Sequence, residues 1–154
     1  MKWNLVTFAD DKFLNRQKYI EEYAKSLDIG TYSYSHSWFK KTDFYKKYKN
    51  ILLDKTGLGY FLWKSYIIND AINQMEDGEL LFYTDVGDIF HEDLIPFVEE
   101  VIEEDSCLLM VGNSINKDWT RRDCFVYMDC DEEDYWDSNQ LEAGISFWRV
   151  CDES

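Results

Sequence analysis

The segment ELLFYTDVGDIF, residues 79–90, joins an apolar run to two acidic residues, Asp85 and Asp88. Its first part, ELLFYT, has the length and composition of a buried β-strand, and Val86-Gly87 separates the two carboxylates. Acidic residues directly after such a strand either form a turn or offer oxygen atoms to a cation. The predicted fold and function both depend on this strand and its surroundings.

Apolar residues along the chain follow the two periodicities that are typical of strands and helices. Strands are predicted at residues 4–9, 31–37, 79–84, 107–112 and 143–150, and helices at 12–27, 60–75, 92–104 and 119–128. The helical pattern is clearest at 60–75, whereas the Lys- and Tyr-rich segment 39–55 is predicted to be helical or irregular. Strands that alternate with helices indicate an α/β fold with a mostly parallel sheet.

The composition limits the classes of protein and partner. A chain of 154 residues with 45% hydrophobic and 18% aromatic residues fits a single α/β domain, predicted at 1–154. The formal net charge of -15 disfavours nucleic acid or an anionic membrane surface as the main partner. No apolar run reaches transmembrane length, and the N-terminal run is too short for a secretory signal. We therefore predict a cytoplasmic protein with no nucleic-acid partner and no transmembrane segment.

The cysteines and histidines do not form the pattern of a metal site. Neither C-x-x-C pairs nor zinc-binding spacings occur among the four cysteines, Cys107, Cys124, Cys130 and Cys151. His36 and His91 are too few and too far apart to indicate a histidine-based site. Reduced, structural thiols are the expected state of these cysteines, in agreement with a cytoplasmic protein.

Acidic residues follow two of the predicted strands. Asp10 and Asp11 come directly after strand 4–9, and Asp85 and Asp88 come after strand 79–84. Ligands of open α/β sheets bind outside the carboxyl ends of the strands, where these residues are predicted to lie. Mg²⁺ and Mn²⁺ prefer oxygen ligands and use one or two carboxylates together with substrate phosphates. The alternative is that Asp85 and Asp88 are turn residues and that one of them caps the following segment.

Lys64 lies on the apolar face of the predicted helix 60–75, in its first turn between Trp63 and Ile67. A cation is unfavourable there because the helix N-terminus is already partly positive and the face is buried. A bound anion such as phosphate would relieve both problems. The alternatives are that Lys64 extends past Trp63 to solvent or pairs with a carboxylate.

Two further segments combine glycine or charge with a predicted helix start. TGLGY, residues 56–60, supplies glycines that let the backbone approach a ligand. Thr120 and Asp123 fit the pattern of a helix cap. Arg121 and Arg122 could instead bind a diphosphate or an acidic partner.

The last predicted strand begins with small residues. Gln140 and Glu142 precede Ala143 and Gly144 in the segment QLEAGISFW. Small side chains at this point permit either the close approach of a ligand or a tight entry of the chain into the sheet. Taken alone, the segment favours packing over ligand binding.

Four segments in the same order resemble a known family. TGLGYFLWKSYII resembles the G-x-G-Y-W-x-W-K-P-Y-I-I signature of a group of bacterial and viral sugar transferases, with Ser65 in place of the proline. LLFYTDVGDIF resembles their Y-x-D-x-G or D-x-D stretch, WTRRDCFVYM their W-T-K-R-D block, and QLEAGISFW their Q-x-x-A-G block. The resemblance covers most of residues 57–149 and implies a glycosyltransferase of the nucleotide-diphospho-sugar transferase (GT-A) fold, a Rossmann-like three-layer α/β/α arrangement.

The resemblance implies roles for individual residues. Asp85, with Asp88 as a displaced second ligand because Gly87 occupies the usual place, would hold Mn²⁺ or Mg²⁺. The nucleotide-sugar donor would contact Thr7, Ala9, Asp10, Lys64, Tyr83, Thr84 and Asp85. Gln140, Glu142 and Asp123 would act in catalysis, facing the donor sugar or a glycan or other hydroxyl acceptor. Transferases of this fold usually continue past the strand that ends near Val150, so a fragment, a natural truncation and a protein that has lost activity are the three alternatives for this chain.

Two other functions are compatible with parts of the pattern. A catalytically silent nucleotide- or sugar-binding domain would keep the pocket without turnover. A phospho-receiver domain would use the acidic residues after both strands to bind Mg²⁺, although the 75 residues from Asp10 to Asp85 are a wide gap for so compact a domain. Binding without turnover would indicate the first, and phosphorylation of Asp85 the second.

Overall fold

The chain forms an α/β structure on one mixed sheet. The structure, a computed structural model, describes residues 1–88, 94–102 and 106–151. Its strands are β1 (Trp3–Ala9), β2 (Gly30–Ser35), β3 (Leu80–Thr84), β4 (Cys107–Ile115) and β5 (Asn139–Arg149), in the spatial order β2-β1-β3-β5-β4. Strand β1 is parallel to β2 and β3, whereas β5 is antiparallel to β3. The predicted α/β class is confirmed, with a sheet that is parallel at its core and mixed overall.

Helical segments connect the strands. They are α1 (Leu14–Ser26), α2 (His36–Phe39), α3 (Asp43–Lys47), α4 (Lys49–Leu52), α5 (Gly57–Tyr60), α6 (Trp63–Ile72), α7 (Leu94–Val101), α8 (Asn116–Trp119), α9 (Arg122–Tyr127) and α10 (Glu133–Trp136). Segment 39–55, expected to be helical or irregular, contains α3 and α4. No helix among the described residues is both long and apolar enough to cross a membrane.

Several element boundaries differ from the prediction. The strand predicted to reach residue 37 ends at Ser35, because the Ser35 hydroxyl accepts a hydrogen bond from the Trp38 N–H and caps α2. The helix predicted to begin at Tyr60 begins at Trp63. His91 and the residues 92, 93, 103 and 104 of the predicted helix 92–104 lie outside the described residues.

The two faces of the sheet carry separate apolar clusters. One contains Trp3, Leu5, Leu80 and Phe82 from the strands and residues of α1 and α7, among them Ile20, Ala24 and Val98. The other contains Val6, Phe8, Leu81 and Tyr83 with residues of α2, α3, α4 and α6, among them Phe39, Tyr45, Leu52, Trp63 and Ile67. Since successive strand residues point to opposite faces, the uninterrupted apolar runs of β1 and β3 are explained by burial on both sides.

The chain divides into two compact units. The first comprises Met1–Leu108 and Gly144–Ser154, and the second comprises Leu109–Ala143. The first unit contains β1, β2, β3 and the end of β5, and therefore both apolar clusters. The second contains most of β4 and the short helices α8, α9 and α10.

The segment α5 is a left-handed turn that comes shortly before α6. Five consecutive residues have positive φ, with values of 55, 53, 90, 54 and 61° at Gly57, Leu58, Gly59, Tyr60 and Phe61. Such a conformation costs about 1–2 kcal/mol for each residue other than glycine. A right-handed helix cannot include these residues, so α6 begins only after the turn although the apolar pattern extends back to Tyr60.

Hydrogen bonds hold this turn in place. The Gly59 N–H donates to the carbonyl oxygens of Asp54 and Thr56, at 3.0 and 3.1 Å. The Trp63 indole N–H donates to the Gly57 carbonyl oxygen at 2.9 Å, which ties the turn to the start of α6. A Cβ on Gly59 would lie 2.6 Å from the Leu52 Cα, so glycine is required there for close packing on α4 as well as for its φ.

Substitution of Gly59 tests whether packing or backbone conformation contributes more to the need for glycine in the turn. Gly59→Ala adds a methyl group against the α4 backbone at a φ of 90°, and we expect a loss of about 2–4 kcal/mol in the free energy of unfolding. Gly78→Ala is the matched control, because Gly78 has a φ of 81° but no atom within 4 Å of the added methyl group. The free energy of unfolding of Gly78→Ala, measured by urea denaturation, should fall by only about 1 kcal/mol. Equal losses for the two variants would show that the contact with Leu52 is unimportant.

Candidate functional site

The carboxyl ends of β1 and β3 open into one cavity in the first unit. The two strands are adjacent and parallel, with Val6 opposite Tyr83, so the residues that follow them emerge at the same edge of the sheet. Asp10, which follows β1, and Asp85, which follows β3, both line a cavity of about 590 Å³. The structure thereby brings together the two acidic positions that the sequence placed at strand ends.

Aromatic side chains and lysines form most of the cavity wall. Its lining includes the rings of Phe8, Phe13, Phe61 and Trp63 and the side chains of Lys12 and Lys55. The Phe8 and Trp63 rings stack with their centroids 4.0 Å apart. An apolar wall with a few convergent polar groups is typical of small-molecule sites, and volumes of about 300–1,000 Å³ are usual for them.

Sequence reasoning missed several of these lining residues. Lys12 follows Asp10 and Asp11 directly, so the same strand-end argument could have found it. Lys55 precedes the TGLGY segment, which by itself gave no reason to include a lysine. Phe13 lies within the predicted helix 12–27 but comes just before α1, and its ring lines the cavity. Only the turns at 10–13 and 55–61 bring these residues to the cavity.

Asp85 is fixed by a phenol and an ammonium group. The Tyr83 hydroxyl donates a short hydrogen bond to Asp85 Oδ1, and Lys64 Nζ lies 3.1 Å from the same oxygen. The Asp85 N–H also donates to the Gly144 carbonyl oxygen at 2.9 Å. Burial and the negative charge of Asp85 raise the pKa of the Tyr83 phenol well above its usual value, so Tyr83 remains a donor at neutral pH.

Lys64 lies in an aromatic surrounding and is largely buried. Its side chain is 15% exposed, and its ammonium nitrogen lies 4.9, 5.5 and 5.9 Å from the ring centroids of Tyr83, Phe61 and Trp63. Aromatic faces attract a cation at such distances. Of the alternatives for Lys64, the structure shows pairing with a carboxylate, that of Asp85. Extension past Trp63 to solvent does not occur.

Asp88 approaches Asp85 beside a glycine. The Asp88 N–H donates to the Asp85 carbonyl oxygen at 3.0 Å, which closes a tight turn through Val86 and Gly87. A Cβ on Gly144 would lie 3.2 Å from Asp88 Oδ2 and 3.5 Å from Asp85 Oδ2. Two carboxylate oxygens thus converge on a place where β5 has no side chain.

Asp85 and Asp88 are the predicted ligands of a divalent ion. Within residues 1–88, 94–102 and 106–151, no group of three or more His, Cys, Asp or Glu side chains could hold a metal ion. Asp85 and Asp88 supply two carboxylates, and Mg²⁺ or Mn²⁺ uses one or two together with water and phosphate, so the metal site stays a prediction. The donor set fits an ion that arrives with a phosphorylated ligand better than an ion held by the protein alone.

The other predicted nucleotide-contact residues lie within the strands. Thr7, Ala9, Tyr83 and Thr84 are buried and are not among the residues that line the cavity. Thr7 Oγ1 is buried without a hydrogen-bond partner in the described part of the chain. These residues form the strands that position Asp10 and Asp85.

The second unit contains the three predicted catalytic residues. Gln140 and Glu142 lie two residues apart on β5 and therefore on the same face of that strand. The Glu142 carboxylate lies where a Cβ on Gly112 would be, so a side chain at that position of β4 would displace the end of the Glu142 side chain. Asp123 is exposed at the start of α9 and forms an ion pair with Arg121, with a distance of 2.7 Å between Arg121 Nη2 and Asp123 Oδ2.

The predicted cap of the helix at 119–128 is wrong. Arg121, and not Thr120, is the residue that precedes α9, and no side chain caps it. Thr120 instead lies between α8 and α9, because α8 already occupies Asn116–Trp119. Thr120 also lines a small cavity of about 220 Å³ with Lys117, Arg122, Phe125 and Trp136.

Arg122 has a carboxylate partner within the second unit. Its guanidinium donates to both Oδ atoms of Asp131 at 3.1–3.2 Å and lies over the Trp136 ring, 4.9 Å from the centroid. The Trp136 indole N–H donates to Asp131 as well, at 3.1 Å. Arg121 and Arg122 thus each pair with an aspartate of the chain, and their binding of a diphosphate or an acidic partner stays a prediction.

The chain has no detectable similarity to known proteins in three comparisons. No family model, no curated protein and no solved structure matches the chain. The functional interpretation therefore depends on the residues and distances of the cavity.

The hydrogen bond from Tyr83 to Asp85 can be tested by removing one oxygen atom. Tyr83→Phe keeps the ring in the core but leaves Asp85 without this donor, and we expect a loss of about 1–2 kcal/mol in the free energy of unfolding. Tyr19→Phe is the control, because Tyr19 is 57% exposed on α1 and should change stability by less than about 0.5 kcal/mol. Urea denaturation measures both, and equal stability of the two variants would refute the role of the bond.

Proposed function

We propose that the protein is a glycosyltransferase that binds a nucleotide-diphospho-sugar in the cavity at the ends of β1 and β3. It would transfer the sugar to a glycan or another hydroxyl acceptor with the assistance of Mn²⁺ or Mg²⁺. A Rossmann-like three-layer arrangement of the GT-A type belongs to the same proposal. The observation that carries it is the position of Asp85, which lines an aromatic cavity at the carboxyl edge of the parallel strands.

Three features of the cavity support a phosphorylated ligand with a flat ring. Ligands of open α/β sheets bind outside the carboxyl ends of strands, which is where the cavity lies. The exposed rings of Phe13 and Phe61 offer surfaces for stacking a base. Lys12 and Lys55 contribute positive charge in a protein whose formal net charge is -15.

The left-handed turn is a further support. Leu58, Tyr60 and Phe61 adopt positive φ at a cost that only glycine avoids, and Leu58 and Phe61 line the cavity. Strained backbone of this kind is concentrated at ligand clamps and active sites. The segment TGLGY thus forms part of the cavity wall just before α6 begins.

In the proposed reaction, the acceptor hydroxyl oxygen forms a bond to the anomeric carbon of the donor sugar. The bond from that carbon to the diphosphate oxygen breaks, its electron pair leaves with the nucleoside diphosphate, and the hydroxyl proton passes to a base. A bound divalent ion supplies charge neutralisation to the leaving diphosphate. Asp85 and Asp88 would hold this ion, and Gln140, Glu142 and Asp123 stay predicted catalytic residues.

Ligand-induced stabilisation tests the proposal. A panel of UDP- and GDP-sugars with Mn²⁺ should raise the melting temperature, because a ligand that binds only the folded state stabilises it. At a ligand concentration about 100 times Kd, the expected stabilisation is about 2.7 kcal/mol. Asp85→Ala should abolish the shift, and donor turnover should be detectable as release of the nucleoside diphosphate.

A matched control separates the site from a general loss of charge. Asp77→Ala removes an equal charge from an exposed residue in the turn between α6 and β3, away from the residues that line the cavity. This variant should keep the full shift with nucleotide-sugar and Mn²⁺. No shift with any nucleotide-sugar in the unmodified protein would refute the proposal.

The second candidate is a catalytically silent nucleotide- or sugar-binding domain. The observation that favours it is the ion pair between Lys64 and Asp85, which already compensates the charge of the expected metal ligand. Under this alternative, nucleotide-sugars would bind equally well with Mn²⁺ or with EDTA. Neither transfer to an acceptor nor slow hydrolysis of the donor would then be measured.

A further inference from the structure

The guanidinium of Arg16 reaches the turn that joins Asp85 to Asp88. Arg16 belongs to the first turn of α1, and its side chain is exposed. A Cβ added to Gly87 would lie 3.8 Å from Arg16 Nη1, which is ordinary van der Waals contact. Gly87 lines the cavity, so the guanidinium lies at the border of the cavity although Arg16 is not one of the lining residues.

Two lysines bring further positive charge to the same cavity. Lys12 comes just before α1 and Lys55 comes just before the left-handed turn, and both are exposed and line the cavity. None of the ion pairs within residues 1–88, 94–102 and 106–151 includes Lys12, Arg16 or Lys55. These three cations are therefore available to an anion that enters the cavity.

An arginine in this place suits a phosphate group. Its planar guanidinium can donate two parallel hydrogen bonds to phosphate oxygens, and such charge-assisted bonds are stronger than neutral ones. If Asp85 and Asp88 hold an ion that arrives with phosphate, the phosphate groups lie next to the turn that contains Gly87. Because Gly87 has no side chain, nothing on that residue separates the guanidinium from a ligand in the cavity.

We infer that Arg16 binds the diphosphate of the ligand from the side of α1, with Lys12 and Lys55 as further contacts of the same anion. This inference rests on the proposed function for the identity of the nucleotide sugar. Recognition of two linked phosphate groups by these cations, however, does not depend on the base or on the sugar. Inorganic pyrophosphate is therefore a sufficient probe of the site.

The experiment measures the affinity for inorganic pyrophosphate by isothermal titration calorimetry, in EDTA so that no divalent ion takes part. An ionic strength of about 0.01 M keeps the attraction between charges strong, because screening is weak there. Arg16→Gln should weaken pyrophosphate binding about 5- to 20-fold, since charge-assisted hydrogen bonds are lost at an exposed place. Arg16→Lys keeps the charge without the planar group and should restore part of the affinity.

Substitution of Gly87 tests where the guanidinium lies. The φ of Gly87 is not positive, so other residues fit its backbone. Gly87→Asp places a carboxylate beside Arg16 and should weaken pyrophosphate binding, because the two side chains then pair with each other. Gly87→Asn is similar in shape but uncharged and should weaken binding less. In the Arg16→Gln background, the difference between the two Gly87 variants should shrink.

A control on the same helix separates the site from a general change of charge. Lys25→Gln removes an equal charge from the last turn of α1, outside the cavity lining, and should leave pyrophosphate affinity within about twofold. Lys12→Met and Lys55→Met should each weaken binding by about two- to fivefold. Should Arg16→Gln fold poorly, as judged by circular dichroism, the two Gly87 variants still decide the test.

The outcomes separate this inference from the proposed function. Unchanged affinity in Arg16→Gln would overturn the inference, as would an equal loss in Lys25→Gln or undetectable pyrophosphate binding in the unmodified protein. Full thermal stabilisation of Arg16→Gln by a nucleotide sugar with Mn²⁺ would also overturn it, while the proposed function would stand. Pyrophosphate binding that depends on Arg16, without a response to any nucleotide sugar, would support the inference and refute the proposed function.

Discussion

Burial of β1 on both faces is the constraint on which the rest of the first unit depends. All seven residues from Trp3 to Ala9 are buried, and the strand pairs with β2 on one side and β3 on the other. Leu5 belongs to one apolar cluster and Phe8 to the other. Because both neighbours run parallel to β1, the strands end at the same edge, where Asp10 and Asp85 line the cavity.

The edge of the cavity combines features that would each destabilise the fold if they occurred alone. A largely buried ammonium, a carboxylate and a left-handed turn meet within the few residues around Lys64, Asp85 and Phe61. The aromatic rings that raise the cost of hydrating Lys64 also attract its charge, and the Tyr83 phenol and the ammonium together fix the orientation of Asp85. The ion pair of Lys64 with Asp85 thus relates the packing of α6 to the edge of the sheet where β3 ends.

Much of the fold could be predicted because hydrophobic periodicity is a local signal. The runs at 4–9 and 79–84 were recognised as strands, and the helical pattern after residue 12 corresponds to α1. The start of α6 could not be predicted in this way. Tyr60 continues the apolar pattern, but its φ of 54° follows from contacts of the turn with Asp54, Thr56 and Leu52. The direction of β5, antiparallel to β3, is likewise a property of pairing that periodicity does not contain.

For the candidate site, the sequence by itself determined the acidic positions after β1 and β3 and the anomaly of Lys64 on an apolar helix face. These depend on residue type and on the ends of elements, both of which are local. Only the tertiary structure decided that Lys64 pairs with Asp85, that Asp88 and Asp85 converge beside Gly144, and that Lys12 and Lys55 line the same cavity. Those contacts join residues that are distant along the chain. They arise where the carboxyl ends of β1 and β3 meet the start of α6 and, at Gly144, the antiparallel β5, and no spacing in the sequence records that geometry.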